Sequence, residues 1–171
     1  MFLALDLVTL TPEETAEFVA GDVLEIRGHP CPADLLPDIV ARSALQRQDA
    51  GEEWLWCAPR LFFDLGAGRL VGSGCFKNSP FEREVEIGYG VAAAYAGRGY
   101  ASAGVACLVQ QASARDEVAA ISAETSLTNR ASERVLEKNG FVRGGSRVDS
   151  EGEVLTLWRL ERSPAPQASS R

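Results

Sequence analysis

Apolar residues recur along this chain at two periods, and the changes from one period to the other lay out its elements. Residues 2–10 alternate loosely, as a strand does. Thr11-Pro12-Glu13-Glu14 then supplies a cap, a proline at the first helical position and an acidic first turn, so a helix starts there. A second helix is expected over 35–48. Leu61-Phe62-Phe63-Asp64-Leu65 and Leu70-Val71-Gly72-Ser73-Gly74-Cys75-Phe76 flank Gly66-Ala67-Gly68-Arg69 and read as an antiparallel hairpin, with a third strand following over 84–92. Residues 99–114 set Ala101, Val105, Leu108, Val109 and Ala112 at helical spacing. A strand over 118–124 comes next, then a helix over 129–138 stopped by Asn139-Gly140-Phe141, with glycine where a Schellman motif wants it. Strands 141–148 and 154–160, joined by Asp149-Ser150-Glu151-Gly152, complete the pattern. Its order predicts an α/β (α+β) fold, a mixed sheet with helices packed on its faces.

Composition adds limits to this outline. The 171 residues are 46% apolar, enough for one sizeable core and too few for two ordinary domains. A single domain over 1–162 is expected, and the Ser/Pro/Ala-rich stretch 163–171 is expected to be a disordered tail. A net charge of −7 leaves no basic surface for nucleic acid or anionic lipid. Met1-Phe2-Leu3-Ala4-Leu5 is cut by Asp6 and lacks a basic leader, so it fails as a signal peptide, and no other stretch is long enough to span a bilayer. Cys31, Cys57, Cys75 and Cys107 are widely spaced and His29 is the single histidine, a pattern that predicts no metal site and reduced thiols in a cytoplasmic protein. Monomer and homodimer both remain open.

The candidate chemistry lies in one strand and the loop after it. In Val85-Glu86-Ile87-Gly88-Tyr89-Gly90-Val91 the large apolar residues alternate with Glu86, Gly88 and Gly90, so one face packs and the other is a trough. Two strand glycines beside a carboxylate suit a bound extended molecule; a bulge or a packing contact is the other reading. In Tyr95-Ala96-Gly97-Arg98-Gly99-Tyr100-Ala101 the glycines free the backbone just where a helix begins and leaves its first amides unpaired. That end attracts phosphate, with Arg98 adding a full charge; a tight turn needs the same glycines.

Glu86-Ile87-Gly88-Tyr89-Gly90-Val91, Gly97-Arg98-Gly99-Tyr100-Ala101, Asn129-Arg130-Ala131-Ser132 and Glu137-Lys138-Asn139-Gly140-Phe141, in this order and spacing, resemble the GNAT acyltransferases, most closely the ribosomal-protein N-acetyltransferase-like branch. The resemblance covers about residues 83–142. It implies a mostly antiparallel sheet of six or seven strands, splayed between strands 84–92 and 118–124 with a pantetheine arm in the gap. It implies acetyl-CoA as co-substrate, held by amides around Val91, Ala92 and Ala93 and by the loop of Gly97, Arg98, Gly99, Tyr100 and Ala101, with Asn129 beside the arm. The family's loop begins with Gln or Arg where this chain has Ala96, which predicts a weaker or re-routed phosphate grip, since backbone amides carry most of it.

The reaction so implied is acetyl transfer to a primary amine of a small molecule or a protein N-terminus. At pH 7 an aliphatic amine is almost wholly protonated, and freeing its lone pair costs about 4 kcal/mol, so a proton acceptor is required. Glu86 is the candidate base, with Glu84 as the alternative on the same face; a solvated acidic stripe with Glu82 is the non-catalytic reading. Many relatives protonate the departing thiolate with a tyrosine after the helix that ends at Gly140. This chain has none there, and Ser132 takes the role by resemblance. Helix capping is the plainer reading of Asn129 and Ser132, compatible with the first. His29 is expected in a loop, and Trp54 and Trp56 either line an acceptor pocket or pack the core. Two other functions remain: a non-catalytic acyl-CoA sensor, and a dinucleotide-binding oxidoreductase, against which Ser102 stands where the third glycine would be.

Overall fold

The computed structural model describes residues 3–162, and the tail expected over 163–171 lies outside them. Strand β1 (Leu5–Thr9) leads into helix α1 (Pro12–Ala20), which opens with a reciprocal capping box. The Thr11 hydroxyl accepts from the Glu14 N–H at 3.1 Å, and the Thr11 N–H donates to the Glu14 carboxylate at 2.9 Å. Two short strands, β2 (Glu25–Ile26) and β3 (His29–Pro30), pair across a turn in which Arg27 forks onto Glu14, both contacts being 2.8 Å. His29 therefore sits in a strand rather than a loop, with its ring 4.6 Å from that of Phe63.

Helix α2 (Asp38–Asp49) begins three residues later than its apolar pattern suggests, because Pro37 forces Leu36 out of helical geometry and takes the N-cap itself. Leu35 and Leu36 remain buried in the run-in. A single turn, α3 (Trp54–Cys57), precedes β4 (Arg60–Asp64), β5 (Arg69–Phe76) and β6 (Glu84–Val91). Helix α4 (Tyr100–Ser113), strand β7 (Ala120–Ser126), helix α5 (Arg130–Lys138) and strands β8 (Val142–Val148) and β9 (Val154–Glu161) follow. β7 starts two residues after its expected position, at the point where Ala119 and Ala120 donate to the Arg83 carbonyl. α5 stops as its sequence predicts: Gly140 has φ +82°, Phe141 N–H reaches Leu136 O at 3.0 Å and Gly140 N–H reaches Glu137 O at 3.0 Å.

Seven of the nine strands form one sheet in the order β1-β4-β5-β6-β7-β9-β8, antiparallel except between β6 and β7, and β2 and β3 pair apart from it. Its two faces are covered by different helices, because neighbouring residues of a strand point to opposite sides. Leu61, Leu70 and Leu10 join α2 residues such as Ala41 in one core, while Phe62, Val71, Val85 and Ile87 join Val105 and Leu108 of α4 in the other. α4 lies close to the sheet because Gly104 faces the Phe62 ring, where an added β-carbon would come within 2.2 Å. Trp56 is buried 5.2 Å from Phe76, and the Trp54 indole N–H donates to Leu10 O at 2.9 Å, so the tryptophan pair packs the core.

Candidate active site

Strands β6 and β7 share only three register pairs: Glu84 with Ala120, Val85 with Ile121, and Glu86 with Ser122. Past that point each keeps its outer neighbour and loses the other. β6 runs on to Val91 along β5, and β7 runs on to Ser126 along β9. The splay expected between these strands is therefore present, and the inner edge of β6 beyond Glu86 has no strand to pair with. A cleft of about 350 Å³ fills the gap, lined by Lys77, Glu86, Gly88 and Gly90 on one side, Glu124 and Ser126 on the other, Asn129 and Ser132 at the start of α5, and Pro37 and Val40 from α2.

Glu86 is fixed through its backbone: its N–H donates to Asn78 Oδ1 at 2.8 Å and its carbonyl accepts from Lys77 N–H at 2.8 Å. Its Oε1 forms an ion pair with the Lys77 ammonium, and Oε2 has no protein donor among the described residues. Glu84 pairs instead with Arg159 at 2.9 Å and does not line the cleft. The solvated acidic stripe is thus replaced by two ion pairs, and only Glu86 of the two carboxylates enters the gap.

Asn129 caps α5, its Oδ1 accepting from the Ser132 N–H at 3.1 Å, and both residues face the cleft. Tyr89 spans the gap from β6, its hydroxyl donating to the Ser132 carbonyl at 3.3 Å. Burial raises the Tyr89 phenol above its ordinary pKa, so it stays protonated at neutral pH. β7 contributes Glu124, whose carboxylate receives two 2.6 Å bonds from Arg147 of β8 and is held below the usual range by them.

The residues expected to hold the coenzyme continue from the cleft along β6 into α4. Ala92 N–H is already paired with Val71 O at 2.9 Å, and Ala93 N–H with the Asp34 carboxylate at 2.8 Å. The amides of Ala92 and Ala93, expected to hold pantetheine, are therefore both occupied by protein acceptors. Gly97 and Gly99 have φ of +74° and +84° in an exposed turn, and the first helical bond of α4 runs from Ala103 N–H to Gly99 O. The amides of Tyr100, Ala101 and Ser102 thus lack an intrahelical partner. The Tyr100 side chain turns inward and donates to Asp64 at 2.6 Å. Arg98 and Arg69 lie 5.8 and 5.9 Å from the Tyr95 ring, so two cations border the turn despite Ala96.

Lys77, Arg147, Asp34 and Arg69 had no local signal, since each reaches the site from another element. Glu124 had one: it alternates with Ser122 and Ser126 on a single face of β7. Among the described residues no three His, Cys, Asp or Glu side chains are grouped to hold a metal ion, and no helix is long and apolar enough to cross a membrane.

The chain matches the acetyltransferase (GNAT) domain profile over residues 5–142. Among solved structures it is similar to the ribosomal L7/L12 alpha-N-protein acetyltransferase RimL in complex with coenzyme A, at 16% identity and a TM-score of 0.66 over 92% of this chain and 93% of that one. It is also similar to a spermidine N-acetyltransferase SpeG chimera from Vibrio cholerae and hSSAT, at 14% identity and a TM-score of 0.65 over 92% and 95% of the two chains. A third similar structure is yncA from Salmonella typhimurium with its cofactor acetyl-CoA, at 19% identity and a TM-score of 0.60 over 96% and 99%. No curated protein matches the sequence.

Proposed function

The chain belongs to the GNAT acetyltransferase family, and from that premise we propose that residues 1–162 carry an acetyl group from acetyl-CoA directly to a primary amine, on a small molecule or a protein N-terminus, in one ternary complex. The observation that supports this most is the gap past Glu86, which opens into a cleft and runs toward the unpaired amides of α4. The pantetheine arm fits along the free edge of β6 as far as Val91, where a β-carbon on Gly90 would meet nothing within 4 Å. Diphosphate fits the turn of Gly97, Arg98 and Gly99 and the amides of Tyr100 and Ala101, with Arg69 adding charge. Ala93 follows Val91 at the exposed end of the passage with its amide on Asp34, while Ala92 is buried with its amide on the Val71 carbonyl.

Acetyl-CoA supplies an activated acyl carbon; the chain's residues govern protons and position. Glu86 offers Oε2 to the incoming ammonium, directly or through a water, and takes its proton. Ser132 faces the departing sulfur and returns a proton, with Tyr89 beside it and Asn129 fixing the turn that presents both. A cytoplasmic setting suits the four unpaired cysteines. The test is a thermal-shift titration with acetyl-CoA beside NAD. A ligand at a hundred times its dissociation constant adds about 2.7 kcal/mol of stability. Stabilisation by acetyl-CoA alone is expected, and stabilisation by NAD alone overturns the assignment.

A further inference from the structure

Three charged side chains line the cleft, Lys77, Glu86 and Glu124, and a fourth, Arg147, reaches Glu124 from β8. Glu86 faces Lys77, Glu124 faces Arg147, and each pair lies within charge–charge reach of the other across the gap. The two pairs differ in how firmly they are closed. Arg147 holds Glu124 with both prongs of its guanidinium at 2.6 Å, whereas Lys77 meets Glu86 through one oxygen and remains 46% exposed. An ammonium has three donors, so Lys77 keeps two that no protein group here takes up.

A polycation entering this cleft finds both carboxylates neutralised and two fixed cations to repel it. A molecule bearing one ammonium and one carboxylate meets no such penalty. Its ammonium takes the open Glu86 Oε2, its carboxylate takes the spare donors of Lys77, and every charge stays paired. A second cavity of about 230 Å³ adjoins the cleft, sharing Val40, Cys75 and Lys77 with it and walled by Ile39, Ala44 and Phe76. Besides Lys77, which it shares with the cleft, and the thiols of Cys57 and Cys75, the polar side chains that line this cavity are Ser43 and Arg47. Arg47 is itself spent on Glu52 and the Phe76 carbonyl.

Building on the transferase reading above, we propose that the acceptor is a free α-amino acid with an apolar side chain, its ammonium on Glu86, its carboxylate on Lys77 and its side chain in the cavity beyond. The reaction forms one N–C bond and breaks one C–S bond; the bound ammonium gives one proton to Glu86 before it attacks, and the second proton that nitrogen loses as the amide forms balances the one the departing thiolate takes up through Ser132.

The experiment follows thiol release from acetyl-CoA with L-phenylalanine and L-leucine against L-phenylalaninamide, 2-phenylethylamine, a phenylalanyl dipeptide and spermidine. The free amino acids are expected to exceed the others at least tenfold in kcat/KM. Lys77→Met should bring the ratio of L-phenylalanine to its amide close to one, and Lys77→Arg should restore part of it. Binding is read separately from turnover: L-phenylalanine with CoA, which cannot react, should raise the melting temperature of the wild type, and 2-phenylethylamine with CoA should not. An amide, dipeptide or polyamine that matches the free acid overturns the proposal, as does an unchanged ratio in Lys77→Met. If acetyl-CoA stabilises the chain but only those other amines react, or none does, the amino-acid assignment falls while coenzyme binding stands. Absence of any acetyl-CoA stabilisation removes the transferase reading itself.

Discussion

Gly90 and Gly72 lie on adjacent strands and have opposite reasons to be glycine. A β-carbon on Gly90 would project into open space, whereas one on Gly72 would come within 2.4 Å of the Gly90 carbonyl. Gly90→Leu should therefore fold with a near-normal melting temperature and fill the passage, lowering turnover and acetyl-CoA stabilisation together; normal turnover would show that the arm does not pass there. The base assignment is tested at the same scale. Glu86→Gln keeps the shape and removes the proton acceptor, so kcat should fall by about a hundredfold or more with acetyl-CoA binding intact. Unchanged turnover on an identified acceptor removes Glu86 from the mechanism. Ser132 and Tyr89 are separated by comparing Ser132→Ala with Tyr89→Phe: the variant that loses kcat without losing coenzyme binding marks the proton donor.

The elements stand on contacts whose loss has a size. Replacing Thr11 removes the hydroxyl half of the capping box that starts α1, so Thr11→Ala should cost about 1 kcal/mol in denaturant unfolding. Gly104→Ala drives a methyl group into Phe62 beneath α4 and should cost about 1–3 kcal/mol, because an already packed core must shift to admit it. The legible elements were those whose signals are local. The cap before α1, the turn at Gly66-Ala67-Gly68 and the Schellman stop at Gly140 each depend on a few neighbouring residues, and their positions were readable. β2, β3 and α3 are too short for a period to register, and they exist because the surrounding chain holds them.

Across the molecule, Glu52 links α2 to the approach of β6. Its carboxylate receives Arg47 at 2.7 Å and the Ser79 hydroxyl at 2.6 Å. Those bonds, Arg47 first, hold it down from 4.5 to about 2. A carboxylate depressed in the folded state stabilises fully above its unfolded pKa and loses that contribution as the pH falls through the folded value. The melting temperature should thus drop between about pH 4.5 and 2, and Glu52→Gln should flatten that part of the curve. An identical slope in the variant would assign the acid sensitivity to other groups.

What the sequence determined by itself was the order of elements, the trough of Glu86, Gly88 and Gly90, and the glycine turn at Gly97 and Gly99 that opens α4, because alternation, helical spacing and glycine's freedom act within a few residues. Its resemblance to the GNAT acyltransferases located the splay and the family. The tertiary structure alone decided which charges meet in the cleft. Lys77, Glu124 and Arg147 belong to three different strands or their ends and gather around Glu86 only once the sheet is ordered and β7 leaves β6. It also decided that Asp34 reaches Ala93 and that Tyr89 reaches Ser132. Such contacts follow from the packing of distant segments, so no local pattern encodes them.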